Sequence, residues 1–260
     1  MPGDLRVGVV THPQPDLSSP YFSACLAGLT PLFGESALVI NPSDLSVDGW
    51  ILLAPDAAQV ERVRRTGKPA VILNGSAEGI PSIDLDNVGA AREITIHLAD
   101  QGHRRIGFIA GKSETSNGRD RQEGYRRALA ERGIPWDPDL VIEGRFSRDG
   151  GRAAMSRYLA LRSPPTAIFA ANDHMALGAW DVLTENNKKV PRDAALAGFD
   201  DIPEAEIAGL TSVRQPLTEM AQQAAAWLLP WIREGRPAAP RCLLFPGKRV
   251  ERLSSLRSTE

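Results

Sequence analysis

The stretch Thr166-Ala-Ile-Phe-Ala-Ala-Asn-Asp-His-Met-Ala-Leu-Gly-Ala179 constrains this chain most. Residues 167–171 form a short apolar run, the length of a buried strand. From Met175 onward, small side chains recur as they do in a helix packed closely on a sheet. Between the two lie Asn172, Asp173 and His174. The order is therefore strand, polar turn, helix start. Polar groups at the carboxyl end of a strand, beside a helix N-terminus, are where open α/β sheets bind ligands. A second such place is Ala195-Leu-Ala-Gly-Phe-Asp-Asp201. Taken alone, Asn172 and Asp173 read first as a helix-capping pair.

The same alternation runs along the whole chain. Strands are expected at residues 5–10, 37–40, 48–53, 69–73, 103–110, 141–144, 167–171, 195–198 and 211–215. Helices are expected at 21–32, 59–66, 88–102, 119–132, 147–160, from the polar turn at 172–174 to 187, and at 217–233. Residues 82–86 read as the lead into a helix, and 241–245 with 248–253 as a closing hairpin. Strands that alternate with helices predict an α/β fold with parallel, doubly wound sheets. At 260 residues the chain suits one large sheet or two lobes.

Composition narrows the function. The net charge is −2, and Arg6 is the only base in the first fifty residues, against Asp4, Asp16, Glu35, Asp44 and Asp48. A surface devoted to nucleic acid is not expected. Cys25 and Cys242 lie far apart and form neither a disulfide framework nor a metal spacing. His12, His97, His103 and His174 are scattered, with no zinc-type spacing, so no metal is expected. The start has no basic-then-apolar leader, and Pro230 cuts the last long apolar run, so a cytoplasmic protein without a membrane span is expected.

Catalytic signatures are equally sparse. Gly107-Phe-Ile-Ala-Gly-Lys-Ser113 is one residue too short for a phosphate-binding loop. There is no Gly-x-Ser-x-Gly elbow. Asp200 and Asp201 are adjacent in an extended segment, so they point to opposite sides. No catalytic residue and no cofactor is expected. More informative is that polar and aromatic groups follow strands: the 15–22 loop, Asn74, the 113–121 loop, Phe146, Asn172 with Asp173, Asp200 and Gln215. If two sheets face each other by their carboxyl edges, these groups converge. Carboxylate, guanidinium and amide groups would then meet ligand hydroxyls. Tyr21, Phe22, Phe146 and Phe169 would cover the apolar face of a ring.

At this point the chain resembles the effector-binding part of the lac repressor family of bacterial transcription regulators. The marks, in order, are Val47-Asp-Gly-Trp-Ile-Leu, Asp86-Asn-Val-Gly-Ala-Ala, Gly102-His-Arg-Arg-Ile-Gly-Phe-Ile-Ala-Gly111, Arg121-Gln-Glu-Gly-Tyr125, Pro165-Thr-Ala-Ile-Phe-Ala-Ala-Asn-Asp-His-Met-Ala, Ala197-Gly-Phe-Asp-Asp201 and Leu210-Thr-Ser-Val-Arg-Gln-Pro216. The resemblance implies a periplasmic-binding-protein-like fold of two Rossmann-like lobes, residues 5–111 plus 216–238 and 112–215 plus 239–256, with the ligand between them. It implies that Arg121 and Asp200 hold sugar hydroxyls and that Asn172 adds a polar contact. Tyr21, Phe22, Asn74, Asn117, Phe146, Phe169 and Gln215 would line the pocket.

The same resemblance implies a sugar or polyol effector and a homodimer. Operator DNA would be reached only through a helix-turn-helix domain that this chain does not include. Residues 37–48 are too short for the family's usual helix between its second and third strands. The rival expectation is a solute-binding protein for sugar uptake, which shares the fold.

Overall fold

Val7–Val10, Gly49–Leu53 and Ala70–Leu73 are unbroken apolar runs in which every residue is buried. Such runs belong to parallel strands covered on both faces. In the computed structural model, which describes residues 5–11, 19–34, 37–40, 46–236 and 241–256, they are β1, β3 and β4 of a six-stranded parallel sheet. Leu38–Ile40 (β2), Ser82–Leu85 (β5) and Cys242–Phe245 (β11) complete it, in the order β11-β5-β4-β3-β1-β2. The helices Pro20–Phe33 (α1), Ala57–Arg64 (α2) and Leu217–Glu234 (α8) accompany this sheet. α1 and α8 approach closely, because a Cβ on Gly28 would lie 2.3 Å from the Thr218 carbonyl oxygen.

A second parallel sheet is built from Ile106–Ala110 (β6), Val141–Glu143 (β7), Ala167–Ala170 (β8) and Ala195–Ala197 (β9), in the order β7-β6-β8-β9. Its helices are Asn87–Asp100 (α3), Ser116–Glu131 (α4), Arg148–Leu159 (α5), Asp173–Glu185 (α6) and the short Pro203–Ala208 (α7). Ser212–Arg214 (β10) pairs antiparallel with Lys248–Val250 (β12). The core is aromatic: the Phe108 ring stacks on Tyr125 at 5.0 Å and meets Phe169 at 5.2 Å. The Tyr125 hydroxyl, buried with the ring, donates to the Ile106 carbonyl at 2.8 Å, as a buried phenol requires.

The chain thus divides into two units, Met1–Leu85 with Pro216–Phe245, and Asp86–Gln215 with Pro246–Glu260. This corrects three expectations. The first boundary lies at residue 85 rather than 111, because α3 packs on α4 and β6 pairs with β7 and β8 in the second unit. Residues 82–86 hold a strand, β5, paired with β4 and β11. The closing hairpin does not form: β11 runs parallel to β5 in one unit, whereas β12 pairs with β10 in the other. That moves the last boundary from 238 to 245. The short connection after β2 falls partly on residues 41–45, outside the described residues. β2 itself pairs in register with β1.

In both sheets the strand order reverses beside a central strand, after β1 in the first and β6 in the second. Successive connections there leave to opposite sides and open a crevice at the carboxyl ends. In the second unit that crevice lies between the ends of β6 and β8.

The seating of α4 beside α3 depends on Gly124, whose Cβ would lie 2.4 Å from the Val88 carbonyl oxygen and 2.8 Å from Ala91 Cβ. Gly124→Val is expected to wedge the helices apart and to lower the unfolding free energy by about 1–3 kcal/mol. Urea denaturation reads this. An unchanged midpoint would mean that the pair can separate at no cost.

Candidate functional site

α4 starts at Thr115, whose side chain accepts the Gly118 N–H at 3.2 Å. The helix then buries one stripe: Asn117, Gly118, Arg121, Gly124 and Tyr125. Arg121 is the exceptional member, a guanidinium only 3% exposed. A buried charge must be paired and hydrogen-bonded, and the loops around it do this. Nε donates to Asn87 Oδ1 at 2.9 Å, and Nη1 donates to the Ala171 carbonyl at 2.6 Å. Nη1 also lies 3.5 Å from Asp200 Oδ1. The guanidinium carbon sits 3.7 Å above the centre of the Phe199 ring and 5.9 Å from that of Phe146.

Asp200 follows β9 and is half-buried. Gln215 Nε2 donates to its Oδ1 at 2.6 Å. Both protein contacts use Oδ1, and among the described residues none donates to Oδ2. Burial raises the Asp200 carboxyl above its ordinary value, while Arg121 and Gln215 pull it back. Gln215 follows β10 as a buried residue, and among the described residues its Oε1 has no hydrogen-bond partner. The site therefore holds one compensated cation and two acceptor atoms without donors.

Phe146 follows β7 in the left-handed region, at φ 62°, directly after Arg145 at φ 53°. Its ring occupies the space where a Cβ on Gly111 would stand, 2.1 Å from the nearest ring carbon. Asn172 holds this bend, because its Nδ2 donates to the Phe146 carbonyl at 3.1 Å. The other end of the same amide caps α6, accepting the Met175 N–H at 3.0 Å. Asn172 thus braces Phe146 and the helix start, with both ends of its amide engaged.

The second unit brings Arg121, Asp200 and Gln215 together, with Phe146 near Arg121 and held by Asn172. Asn117 is buried on the same stripe of α4. Phe169 is placed otherwise: it lies fully buried in the core against Phe108 and forms no wall of this crevice. A strand buried on both faces gives no signal of which way each ring points. In the first unit, Asn74 ends β4 at φ 60° and donates from Nδ2 to the Tyr21 hydroxyl at 2.9 Å. Phe22, beside Tyr21 on α1, is buried.

Sequence reasoning missed Asn87, Phe199 and Ser212. Phe199 stands next to Asp200, and Asn87 sits in the Asp86-Asn-Val-Gly segment, so both were within reach of a motif reading. Ser212 sits in the Leu210-Thr-Ser-Val segment, but nothing local shows that its hydroxyl reaches Asp173. Among the described residues, no three His, Cys, Asp or Glu side chains are grouped to hold a metal, and no helix is long and apolar enough to cross a membrane.

Behind Asp200, Asp173 opens α6 fully buried. Burial, with the Asp200 and Asp201 charges nearby, pushes its carboxyl up to about 8, against the pull of hydrogen bonds from Ser212 and the Ile202 N–H. The ordinary value is 3.8, so between these values the native state holds a proton that the unfolded chain has released. The contribution of Asp173 to stability must therefore fall as pH rises through that window. Asp173→Asn is expected to flatten this fall. Urea unfolding of both proteins at about pH 5 and about pH 8 checks it through the same linkage. Identical pH slopes would show that Asp173 ionises normally in the fold.

Comparison with known proteins places this geometry. A family model described as a periplasmic binding protein-like domain matches residues 95–255. Over 239 residues the chain is 33% identical to the HTH-type transcriptional repressor CytR of Escherichia coli strain K12, covering 83% of this chain and 70% of that protein. It is 38% identical over 192 residues to the HTH-type transcriptional regulator CelR of Thermobifida fusca, covering 70% of this chain and 56% of that protein. Among solved structures, a transcriptional regulator CelR–cellobiose complex superposes with a TM-score of 0.87 at 30% identity, covering 96% of this chain and 86% of that one. A LacI family transcriptional regulator from Enterococcus faecium with bound ribose gives 0.83 at 26% identity, covering 96% and 98%.

Proposed function

The chain belongs to the lac repressor (LacI) family of transcriptional regulators, and from that premise we propose that it senses a small neutral sugar or polyol. The observation that carries this is the pair of acceptors without donors, Asp200 Oδ2 and Gln215 Oε1. Adjacent ligand hydroxyls can donate to both. A carboxylate or phosphate has no proton to give them and would face the Asp200 charge. Arg121 offers an anion little, since its charge is already met by Asp200 and its donors by Asn87 and Ala171.

Phe146 supplies a flat apolar surface of the kind that covers a sugar ring. On this reading Arg121 orients Asp200, while Asp200 and Gln215 contact the ligand. Asn117 is a further lining group. Asn172 acts through Phe146. The protein is a receptor and performs no chemistry on what it binds.

The relatives named as bound to cellobiose and ribose agree with a sugar ligand. Their description as regulators favours a cytoplasmic sensor over a transport protein. The effector is proposed to bias a homodimer whose DNA contacts run through a helix-turn-helix segment outside this chain. It does so only to the extent that it binds one arrangement better than the other.

Thermal unfolding against a panel of neutral sugars, polyols, uronates and sugar phosphates tests the reading. A ligand at about 100 times its Kd adds about 2.7 kcal/mol, a rise in Tm of about 5–10 °C at this chain length. Neutral sugars or polyols are expected to give the shift, and Asp200→Ala and Gln215→Leu to remove it. A uronate or sugar phosphate as the strongest hit would overturn the neutral-ligand reading.

A further inference from the structure

The turn that carries Asp200 is strained. Asp200 sits at φ 110° and Asp201 at φ 56°, two consecutive non-glycine residues on the positive side. Such conformations persist only where the surroundings over-determine them. Here the surroundings are a buried clamp. Asp173 Oδ2 accepts the Ile202 N–H at 2.9 Å, and its Oδ1 accepts the Ser212 hydroxyl at 2.6 Å. The Ser212 oxygen in turn accepts the Asp201 N–H at 3.0 Å. The Asp173 N–H donates to the Phe199 carbonyl at 2.8 Å, just before the turn. Gly198 leaves room for the carboxyl, since a Cβ there would stand 2.1 Å from Asp173 Oδ1. On the far side, Asp201 is tied to Arg214 at 2.6 Å and lies 2.7 Å from Arg252 Nη1.

Resting on the sugar-sensing reading above, we infer that Asp173 and Ser212 are positioning residues for ligand binding: they hold the 200–202 turn in the one conformation that aims the Asp200 carboxylate at Arg121, Gln215 and the ligand. Asp173 does more than open a helix. A group that merely began α6 would need only the N-terminal N–H groups of that helix. Its carboxyl instead reaches across to a different loop and a different strand, accepting from Ile202 and Ser212, both outside α6. Asp201, the neighbour of Asp200, belongs to the same device. Its side chain faces the opposite way and anchors the turn to β10 and to the segment after β12.

The test uses the whole chain and three variants, Asp173→Ala, Asp173→Asn and Ser212→Ala, with cellobiose and ribose as probes. Amide exchange at Asp201 and Ile202 reads the clamp, exchange at Ile168 and Phe169 in β8 reads the core, and calorimetry reads binding. Removing one partner of a buried hydrogen bond corresponds to about a tenfold change. Ser212→Ala is therefore expected to speed exchange at Asp201 and Ile202 by about that factor, and to weaken the bound sugar similarly, with β8 exchange unchanged. Asp173→Ala should do the same or more, and Asp173→Asn, whose remaining oxygen can still accept the Ile202 N–H, should recover most of the affinity.

Faster exchange with unaltered affinity would show a clamp that positions nothing, and the inference would fall. Equal loss across β8 in all three variants, with no recovery in Asp173→Asn, would reduce Asp173 to a core residue. If neither sugar binds the unaltered protein, the ligand class proposed above is at fault, and the Asp200 carboxyl carbon shift decides the clamp separately. Movement of that shift in Ser212→Ala supports positioning, and an unmoved shift refutes it.

Discussion

Arg121 is a full positive charge inside the second unit, and the loops that surround it are arranged by that fact. An isolated buried guanidinium would cost several kcal/mol. It is compensated by three groups from three places: Asn87 at the start of α3, the Ala171 carbonyl at the end of β8, and Asp200 after β9. The Phe199 ring adds a face for the cation to lie on. The topology alone brings strand ends together at the point where the order reverses. The charge then dictates which atoms those ends must present. A crevice that any doubly wound sheet possesses is thereby given a fixed polar floor.

That floor is held in conformations the backbone would not choose. Phe146, Asp200 and Asp201 all have positive φ without being glycine, and in the first unit Asn74 does too. Each departure has a visible restraint beside it. Asn172 holds the Phe146 carbonyl, Asp173 and Ser212 hold the 200–202 turn, and the Asn74 N–H donates to the Ile83 carbonyl at 2.7 Å. The restraints are themselves buried polar groups that would be costly to leave unpaired, so strain and satisfaction are coupled. For the proposed site, the gain is a set of side chains already in place when a ligand arrives, which reduces the ordering that binding would otherwise require.

Much of this is legible in the sequence, for stated reasons. Runs such as Ile106-Gly-Phe-Ile-Ala are buried on both faces, so their strand character shows in composition alone. Asp200 and Asp201 do engage different partners, as expected, but they do so from a turn with both φ positive rather than from an extended chain. What escapes is whatever depends on partners distant in sequence. β5 hides because Asp84 interrupts its apolar run, and that carboxyl turns back to accept the Leu85 N–H at 2.7 Å. β11 and β12 look like a hairpin because their local pattern is one, yet each finds a better partner elsewhere. Phe169 was expected on the wall because an all-apolar strand does not reveal which face meets the crevice. Asn172 and Asp173 read locally as a capping pair. Only the fold shows one bracing Phe146 and the other reaching across to Ile202 and Ser212.

The unmatched acceptors bear on how such a protein can signal. A buried acceptor without a donor costs about 1–3 kcal/mol, and Gln215 Oε1 is in that condition. On the proposed reading a ligand hydroxyl at the end of β10 would satisfy it, and β10 is followed directly by the passage of the chain from the second unit to the first at residue 215. Ligand binding and the conformation of that passage therefore share an atom. A ligand that met Asp200 alone would be held without acting on it. One that also donates to Gln215 stabilises the arrangement in which that oxygen is within reach, and its differential affinity for that arrangement sets an upper bound on the signal. On that reading, neighbouring ligand hydroxyls serve two separate ends: binding strength through Asp200 and Gln215 together, and coupling through Gln215.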